Sequence, residues 1–209
     1  MDISSHEIIA IVVGASFAAG LNVYATVATL GILGHTGLLT LPPALDPLGS
    51  WYVIGAATAL FLIEFVADKI PAFDLIWNAL HTFVRVPVAA LLAYGATTQL
   101  SPSQQLLSAF LASGIAFAAH STKTAVRAAV TPSPEPISNI GLSLGEDVVA
   151  VGLTWFAVTY PYIAAAIVIV ALLLIALLLR FIWRALKRNF QGARRQIAEW
   201  HHPSPRVGT

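Results

Sequence analysis

Ionisable side chains interrupt several of the most apolar stretches of this sequence, and they recur at helical spacing. Glu64 and Asp68 are four residues apart, as are His81 and Arg85. Residues separated by three or four positions share one face of an α-helix. An ionisable side chain within an apolar segment costs about 3 kcal/mol to insert into a bilayer, so it marks a functional site by default.

Further stretches carry polar residues in the same way. His120, Lys123 and Arg127 follow one another at intervals of three and four, and Glu146 and Asp147 are adjacent. We expect these polar faces to converge on one site that binds an ion or a small polar solute. The predicted site residues are Asn22, Tyr24, Glu64, Asp68, His81, Arg85, His120, Lys123, Glu146 and Asp147.

The chemistry of such a site follows from its mixture of charges. Four carboxylates would face the cations Arg85 and Lys123, and opposite charges offset the cost of burying one another. Carboxyl and imidazole groups in these surroundings can exchange protons near neutral pH, which suits a proton-coupled transporter. The structural alternative is that the ion pairs only hold helices in register and that His81 and His120 are satisfied structural residues.

Four charged residues lie close to predicted helix ends. For these, an ordinary solvated terminus is the alternative to a buried site. They are Asp68, Lys69, Asp74 and Arg127.

Catalytic and metal motifs are absent from the sequence. It has no cysteine, no HExxH motif, no ExxH pair within the predicted spans, and no glycine-rich phosphate loop. His120 beside Ser121, Thr122 and Lys123 is the nearest approach to a nucleophile constellation. We therefore predict no catalytic residues, no bound metal and no cofactor.

The composition identifies the kind of protein that must position these residues. Of 209 residues, 57% are hydrophobic and 10% are charged, against about 25% charged in soluble domains. The mean hydropathy is +0.80. Such a chain cannot cover the surface of a soluble globule, so the sequence predicts an all-α polytopic membrane protein.

Six apolar stretches are long enough to cross a bilayer as helices. Prolines in the intervening segments favour breaks there. The predicted spans are 8–33, 51–70, 72–94, 105–130, 139–160 and 162–183. Residues 1–184 then form the transmembrane domain, and 185–209 form a basic cytoplasmic tail.

Basic residues predict the orientation. Seven of the eleven Lys and Arg residues lie at or beyond the end of the sixth predicted span, which should therefore be cytoplasmic. Six spans place both termini in the cytoplasm of a bacterial cell, with the protein in the inner membrane. Juxtamembrane basic residues are the ordinary topology signal, so no nucleic-acid partner is expected.

A weak internal repeat is present at an offset of 100 residues. Residues 17–30 and 117–130 share the triplet FAA and two further alanines. In the six-span topology the two segments cross in opposite directions, which predicts a 3+3 inverted repeat typical of secondary transporters. The interrupted first helix of each half would break at Gly20–Asn22 and at His120–Thr122.

The segment that begins GASFAAGLNVYAT at Gly14 resembles a bacterial membrane family known as domain of unknown function 4126. The stretch from Glu64 to Asp74 and the region from Lys123 to Asp147 are similar to it as well. The resemblance covers the first five predicted spans. It implies that the polar motifs belong together, and it implies no particular substrate.

We expect a small integral membrane transporter or channel, with the lipid bilayer and an ion or polar solute as its partners. One alternative is a non-catalytic scaffold or accessory subunit, as a homo-oligomer or with a partner membrane subunit. A second alternative is an intramembrane enzyme that modifies a lipid.

Overall fold

The computed structural model describes the backbone of residues 4–130 and 136–201. Side chains are described for the same residues except 71–75, 130, 136–139, 185–186 and 188–201. Every regular element in these ranges is helical, as the sequence predicts. A 3-10 helix spans Pro43–Gly49. The α-helices are α1 (Ser5–Leu21), α2 (Val23–His35), α3 (Trp51–Ala67), α4 (Pro71–Ala96), α5 (Pro102–Val130), α6 (Pro136–Thr159) and α7 (Pro161–His201).

Four of these helices, α4 to α7, begin on a proline. Proline at the first helical position needs no amide hydrogen bond, and its fixed φ suits the first turn. Ser50 caps α3 in a different way, because its side chain accepts a hydrogen bond from the amide of Val53. The helices α3 to α7 begin and end within a few residues of the five later predicted spans, except that α7 continues well beyond the predicted end.

Asn22 is the only residue between α1 and α2, and its backbone is extended. Its amide donates to the carbonyl of Ala18, which closes α1. Its side-chain Oδ1 accepts from the amide of Ala25 at 3.0 Å and so caps α2. A single asparagine thus ends one helix and begins the next.

Helix α1 packs against α6. A Cβ built on Gly14 would lie 2.5 Å from the Cβ of Ala157, near the C-terminal end of α6. Asn22, at the other end of α1, donates to Asp147 in the middle of α6. The residue numbers fall on α6 as they rise on α1, so the two helices are antiparallel.

The direction of the chain reverses at Asn22. The Thr26 hydroxyl of α2 lies 3.4 Å from that of Thr154, so α2 climbs back along α6. Leu30 of α2 lines the same cavity as Ile8 of α1 and Ala93 of α4. The helices α1 and α2 therefore form a V, called the hairpin below, with Asn22 at its apex and both open ends at the same end of α4.

Two sequence predictions are corrected by this geometry. The residues 8–33 do not form one passage in a single direction, because the chain turns back at the apex. The second predicted break, at His120–Thr122, is wrong because α5 is continuous there. Only the break at Gly20–Asn22 is observed.

The inverted repeat is not observed either. Ile8 packs against Ala112, and Gly20 approaches Ala119, so numbers rise together along α1 and α5. The two FAA segments are parallel neighbours, whereas an inverted repeat would require them to run in opposite directions. Their similarity reflects the small residues that both helices use where they touch.

Three described helices are long and apolar enough to cross a membrane, over Ile76–Ala96, Ile140–Thr159 and Pro161–Arg184. The 3-10 helix together with α3 would be a fourth, with a bend of 64°. These helices make this a membrane protein. Residues 4–172 form one compact unit, and residues 173–201 continue α7 as a separate unit.

Substitution of Gly20 tests the close contact between α1 and α5. A Cβ there would lie 2.7 Å from the Cβ of Ala119 and 2.9 Å from the Cα of Ala116. We expect Gly20→Ala to destabilise the fold by about 1–3 kcal/mol, the usual cost of overpacking, and to lower the melting temperature in detergent. The matched control is Gly114→Ala in α5, where a Cβ meets nothing within 4 Å among described residues; an equal loss there would contradict the prediction.

Candidate functional site

Seven ionisable side chains from four helices meet below the apex of the hairpin, and we call them the charge cluster. All are buried except Glu146, whose side chain is 13% exposed. Three are cations and four are carboxylates. The members are Glu64, Asp68, Arg85, Lys123, Arg127, Glu146 and Asp147.

Arg85 joins α4 to α3 and α5. One of its Nη atoms forms an ion pair with Glu64. The other donates to Oδ1 of Asn78 at 3.2 Å and to Nδ1 of His120 at 2.6 Å. Both Arg85 and Glu64 are completely buried, so their pairing replaces hydration that neither group retains.

The contacts of His120 fix its protonation. Arg85 can only donate, so Nδ1 of His120 accepts and carries no hydrogen. Nε2 then carries the hydrogen and faces the carbonyl of Asn78 at 3.0 Å, with the Thr82 hydroxyl at 2.8 Å. His120 is therefore a neutral residue that completes the surroundings of Arg85.

Lys123 occupies the centre of the charge cluster. Its Nζ lies 3.0 Å from Asp68, 3.2 Å from Glu146 and 3.6 Å from Glu64. It also donates to the carbonyl of Leu21, the last residue of α1, at 3.2 Å. One ammonium group thus contacts α1, α3 and α6.

Arg127 lies one turn further along α5 and binds two of the carboxylates that also contact Lys123, those of Asp68 and Glu146. Its Nη2 lies 3.0 Å from Asp68 Oδ2 and forms an ion pair with Glu146, and its Nη1 donates to the Asp68 carbonyl. Arg127 and Asp68 are fully buried, so their interpretation as solvated helix ends is wrong. Lys69 is partly exposed and donates to the Phe65 carbonyl, while the Asp74 side chain lies outside the described residues.

Asp147 differs from the other carboxylates. Its Oδ1 accepts a hydrogen bond of 2.9 Å from the neutral amide of Asn22. Among the described side chains no Lys or Arg lies within ion-pair distance of Asp147, and its Oδ2 is buried without a hydrogen-bond partner. It is the one member of the charge cluster that is held only by the apex.

The two helix ends that meet at the apex carry opposite dipole charges, and one contacts Lys123 while the other contacts Asp147. The C-terminal end of α1 is electronegative and meets the Lys123 ammonium at Leu21. The N-terminal end of α2 is electropositive, and its cap, Asn22, contacts the Asp147 carboxylate. Both placements are the favourable ones for helix dipoles.

Tyr24 and His81 pair beside the charge cluster. Nδ1 of His81 lies 2.8 Å from the Trp77 carbonyl, so it carries a hydrogen, and Nε2 accepts from the Tyr24 hydroxyl at 3.0 Å. The structure therefore gathers all ten predicted residues around the apex. The site selection by sequence omitted Arg127, although its position four residues after Lys123 placed it on the same face.

Several polar atoms in this region have no hydrogen-bond partner among the described residues. Each such buried atom costs about 1–3 kcal/mol. They are Glu64 Oε2, Asp68 Oδ1, Arg85 Nε, Ser143 Oγ and Asp147 Oδ2.

A cavity of about 480 Å³ lies between the arms of the hairpin, at its open end. Its lining is mainly aliphatic, with Ser16, Thr40 and Gln99 as polar exceptions. A cluster of buried apolar side chains adjoins this cavity at Ala89, which also lines it, and we call it the plug: Ala19, Val23, Ala89 and Ala116.

Neutralising Arg85 tests how far the fold relies on the charge cluster. We expect Arg85→Gln to destabilise the protein by about 3–5 kcal/mol, because it leaves Glu64 buried with only the more distant Lys123. The melting temperature in detergent is the measurement. Arg180→Gln is the control, since Arg180 is exposed on α7. Equal melting temperatures for the two variants would contradict a structural role for the Arg85 ion pair.

A family model described as a domain of unknown function, DUF4126, matches residues 9–181. No curated protein and no solved structure matches the chain. The match covers the hairpin from residue 9 onward, the charge cluster and the apolar part of α7, so the site described above lies within it. The chain belongs to the DUF4126 family.

Proposed function

We propose that this protein is a small integral membrane transporter or channel for a cation, with the charge cluster as its binding site. The observation that carries the proposal is the broken helix at Asn22, whose two ends contact a buried cluster with unpartnered oxygen atoms. Broken helices that point their ends at charged groups are a recurrent way of building ion sites within membranes. Non-helical backbone is tolerated there only where protein or a cavity protects it.

A purely structural network of ion pairs would be expected to satisfy its polar atoms. Among the side chains that the structure describes, three carboxylate oxygens have no hydrogen-bond partner, on Glu64, Asp68 and Asp147. The four carboxylates also exceed the three cations by one negative charge. Both features favour a positively charged ligand over a neutral or anionic one.

The route for a cation would have two parts. The cavity between the hairpin arms gives access from one side as far as the plug. Glu146, the only partly exposed member of the charge cluster, gives access from the other. Movement of the hairpin apex would open the plug and join the two.

The membrane topology that fits this geometry differs from the six-span prediction. The hairpin would enter and leave on the same side, and α3 to α7 would cross five times. The termini would then lie on opposite sides, with the basic end of α7 in the cytoplasm. Residues 1–35 and the segments 36–50, 97–101 and 160 contain no Lys or Arg, in agreement with an outer location under the positive-inside rule. The host membrane would be the bacterial inner membrane.

Cysteine labelling tests this topology, because the natural chain has no cysteine. We expect a membrane-impermeant maleimide to label Ser4→Cys and Ser101→Cys from outside intact cells, and to label Thr209→Cys only after permeabilisation. Ser101→Cys is the positive control for the outer side. Protection of Ser4→Cys in intact cells would restore a cytoplasmic N-terminus and exclude the hairpin topology.

Cation flux into proteoliposomes tests the function itself, with protons, Na⁺, K⁺ and Mg²⁺ as probes. We expect the wild type to move at least one of them, and Glu146→Gln to slow it roughly tenfold, the effect of about 1.4 kcal/mol in the barrier. Glu7→Gln is the matched control, since Glu7 belongs to the capping box of α1, far from the charge cluster. Folded protein that moves no probe would favour the scaffold alternative.

A further inference from the structure

We infer that Asp147 is a proton-binding site and that its protonation releases the hairpin apex from α6. The inference rests on the proposed function, because it names the coupling step of the same site. It assigns separate tasks to the carboxylates, with the three ion-paired ones holding the helices and Asp147 exchanging the proton.

Charge pairing within the cluster leaves Asp147 as the odd member. Glu64 is paired with Arg85. Asp68 and Glu146 share Lys123 and Arg127. A proton on Asp147 would therefore bring the ionised cluster to neutrality without breaking any of these pairs.

Among the described side chains, no cation from the neighbouring elements lies within ion-pair distance of Asp147, and Lys69 and Lys123 act on it only at longer range. The apex contributes the neutral amide of Asn22. The nearby anions are Glu64, Asp68 and Glu146, and His81 is engaged by Tyr24 and Trp77. The cations Arg85, Lys123 and Arg127 bind the other carboxylates, and Lys69 donates to the Phe65 carbonyl.

Burial disfavours the charged form of Asp147 relative to the protonated form. Asp147 is 5% exposed, and its Oδ2 has no hydrogen-bond partner among described residues. A buried carboxylate oxygen without a partner is costly when charged and less so when protonated. Ser143, one turn earlier on α6, has a buried hydroxyl that also lacks a hydrogen-bond partner among the described residues.

The Asn22 side chain connects this proton to the hairpin. Its Nδ2 donates to Asp147 while its Oδ1 caps the first turn of α2 at Ala25. A hydrogen bond to an ionised carboxylate is roughly twice as strong as one to a neutral acceptor. The ionised form therefore holds the apex against α6, and protonation weakens that contact. Since Val23 and Ala19 of the plug flank the apex, its release would open the plug.

Infrared difference spectroscopy of the full-length protein in lipid tests the site directly. We expect a pH titration to show the carbonyl band of a buried carboxylic acid, which is lost in Asp147→Asn and shifted in Asp147→Glu. Asp46→Asn is the matched control, because Asp46 lies exposed in the 3-10 helix. A titrating band that is unchanged in Asp147→Asn would overturn the assignment, and so would the absence of any such band in the wild type.

Flux measurements separate this inference from the proposed function. We expect cation flux to depend on pH in the wild type and to lose that dependence in Asp147→Asn, with the melting temperature preserved. Flux with the same pH dependence in both proteins would overturn the coupling role and leave the transport function standing. An Asp147 band in protein that moves no cation would reject the transport function and keep the proton site. If Na⁺ abolished the Asp147 carbonyl band at constant pH, the ligand of Asp147 would be a metal cation, and the proton-binding assignment would be rejected.

Discussion

A helix can be interrupted inside an apolar region only if the backbone groups that it frees find other partners. The break at Asn22 meets this requirement with two side chains, because Asn22 caps α2 and Lys123 binds the last carbonyl of α1. A buried ammonium group in turn requires carboxylates. Asp68 and Glu146 provide them, and Arg127 binds both. Much of the charge cluster can thus be understood as the surroundings that a broken helix needs.

Small residues bring the hairpin close enough to make these contacts. Gly14 lies against Ala157 of α6, and Gly20 lies against Ala116 and Ala119 of α5. Helix association in a bilayer relies on such close approach, because lipid offers no hydrophobic driving force between helices. Even a single carbon added at Gly14 or Gly20 would clash with the facing helix and push α1 away from it. Packing and electrostatics are therefore coupled through the same helix.

Much of this arrangement could be predicted from the sequence, and the exceptions have physical causes. The polar spacing in α3 to α6 predicted a common site, because each helix buries only one polar face. The reversal at Asn22 could not be predicted, since residues 8–33 have the length and composition of one ordinary span. Arg127 was left out of the predicted site because closeness to a helix end indicates solvent unless a partner helix covers that end. The apparent repeat misled because alanine and glycine recur wherever helices touch.

The hairpin is formed by the first helices in the chain, yet its partners come much later. Asn22 is separated by 125 residues from Asp147, and Lys123 follows Leu21 by 102. During synthesis, α1 and α2 leave the ribosome long before α5 and α6 exist to receive them. Contacts between such distant segments form slowly, because the intervening chain must be ordered first. The helices made first therefore cannot complete their contacts until α5 and α6 have been made.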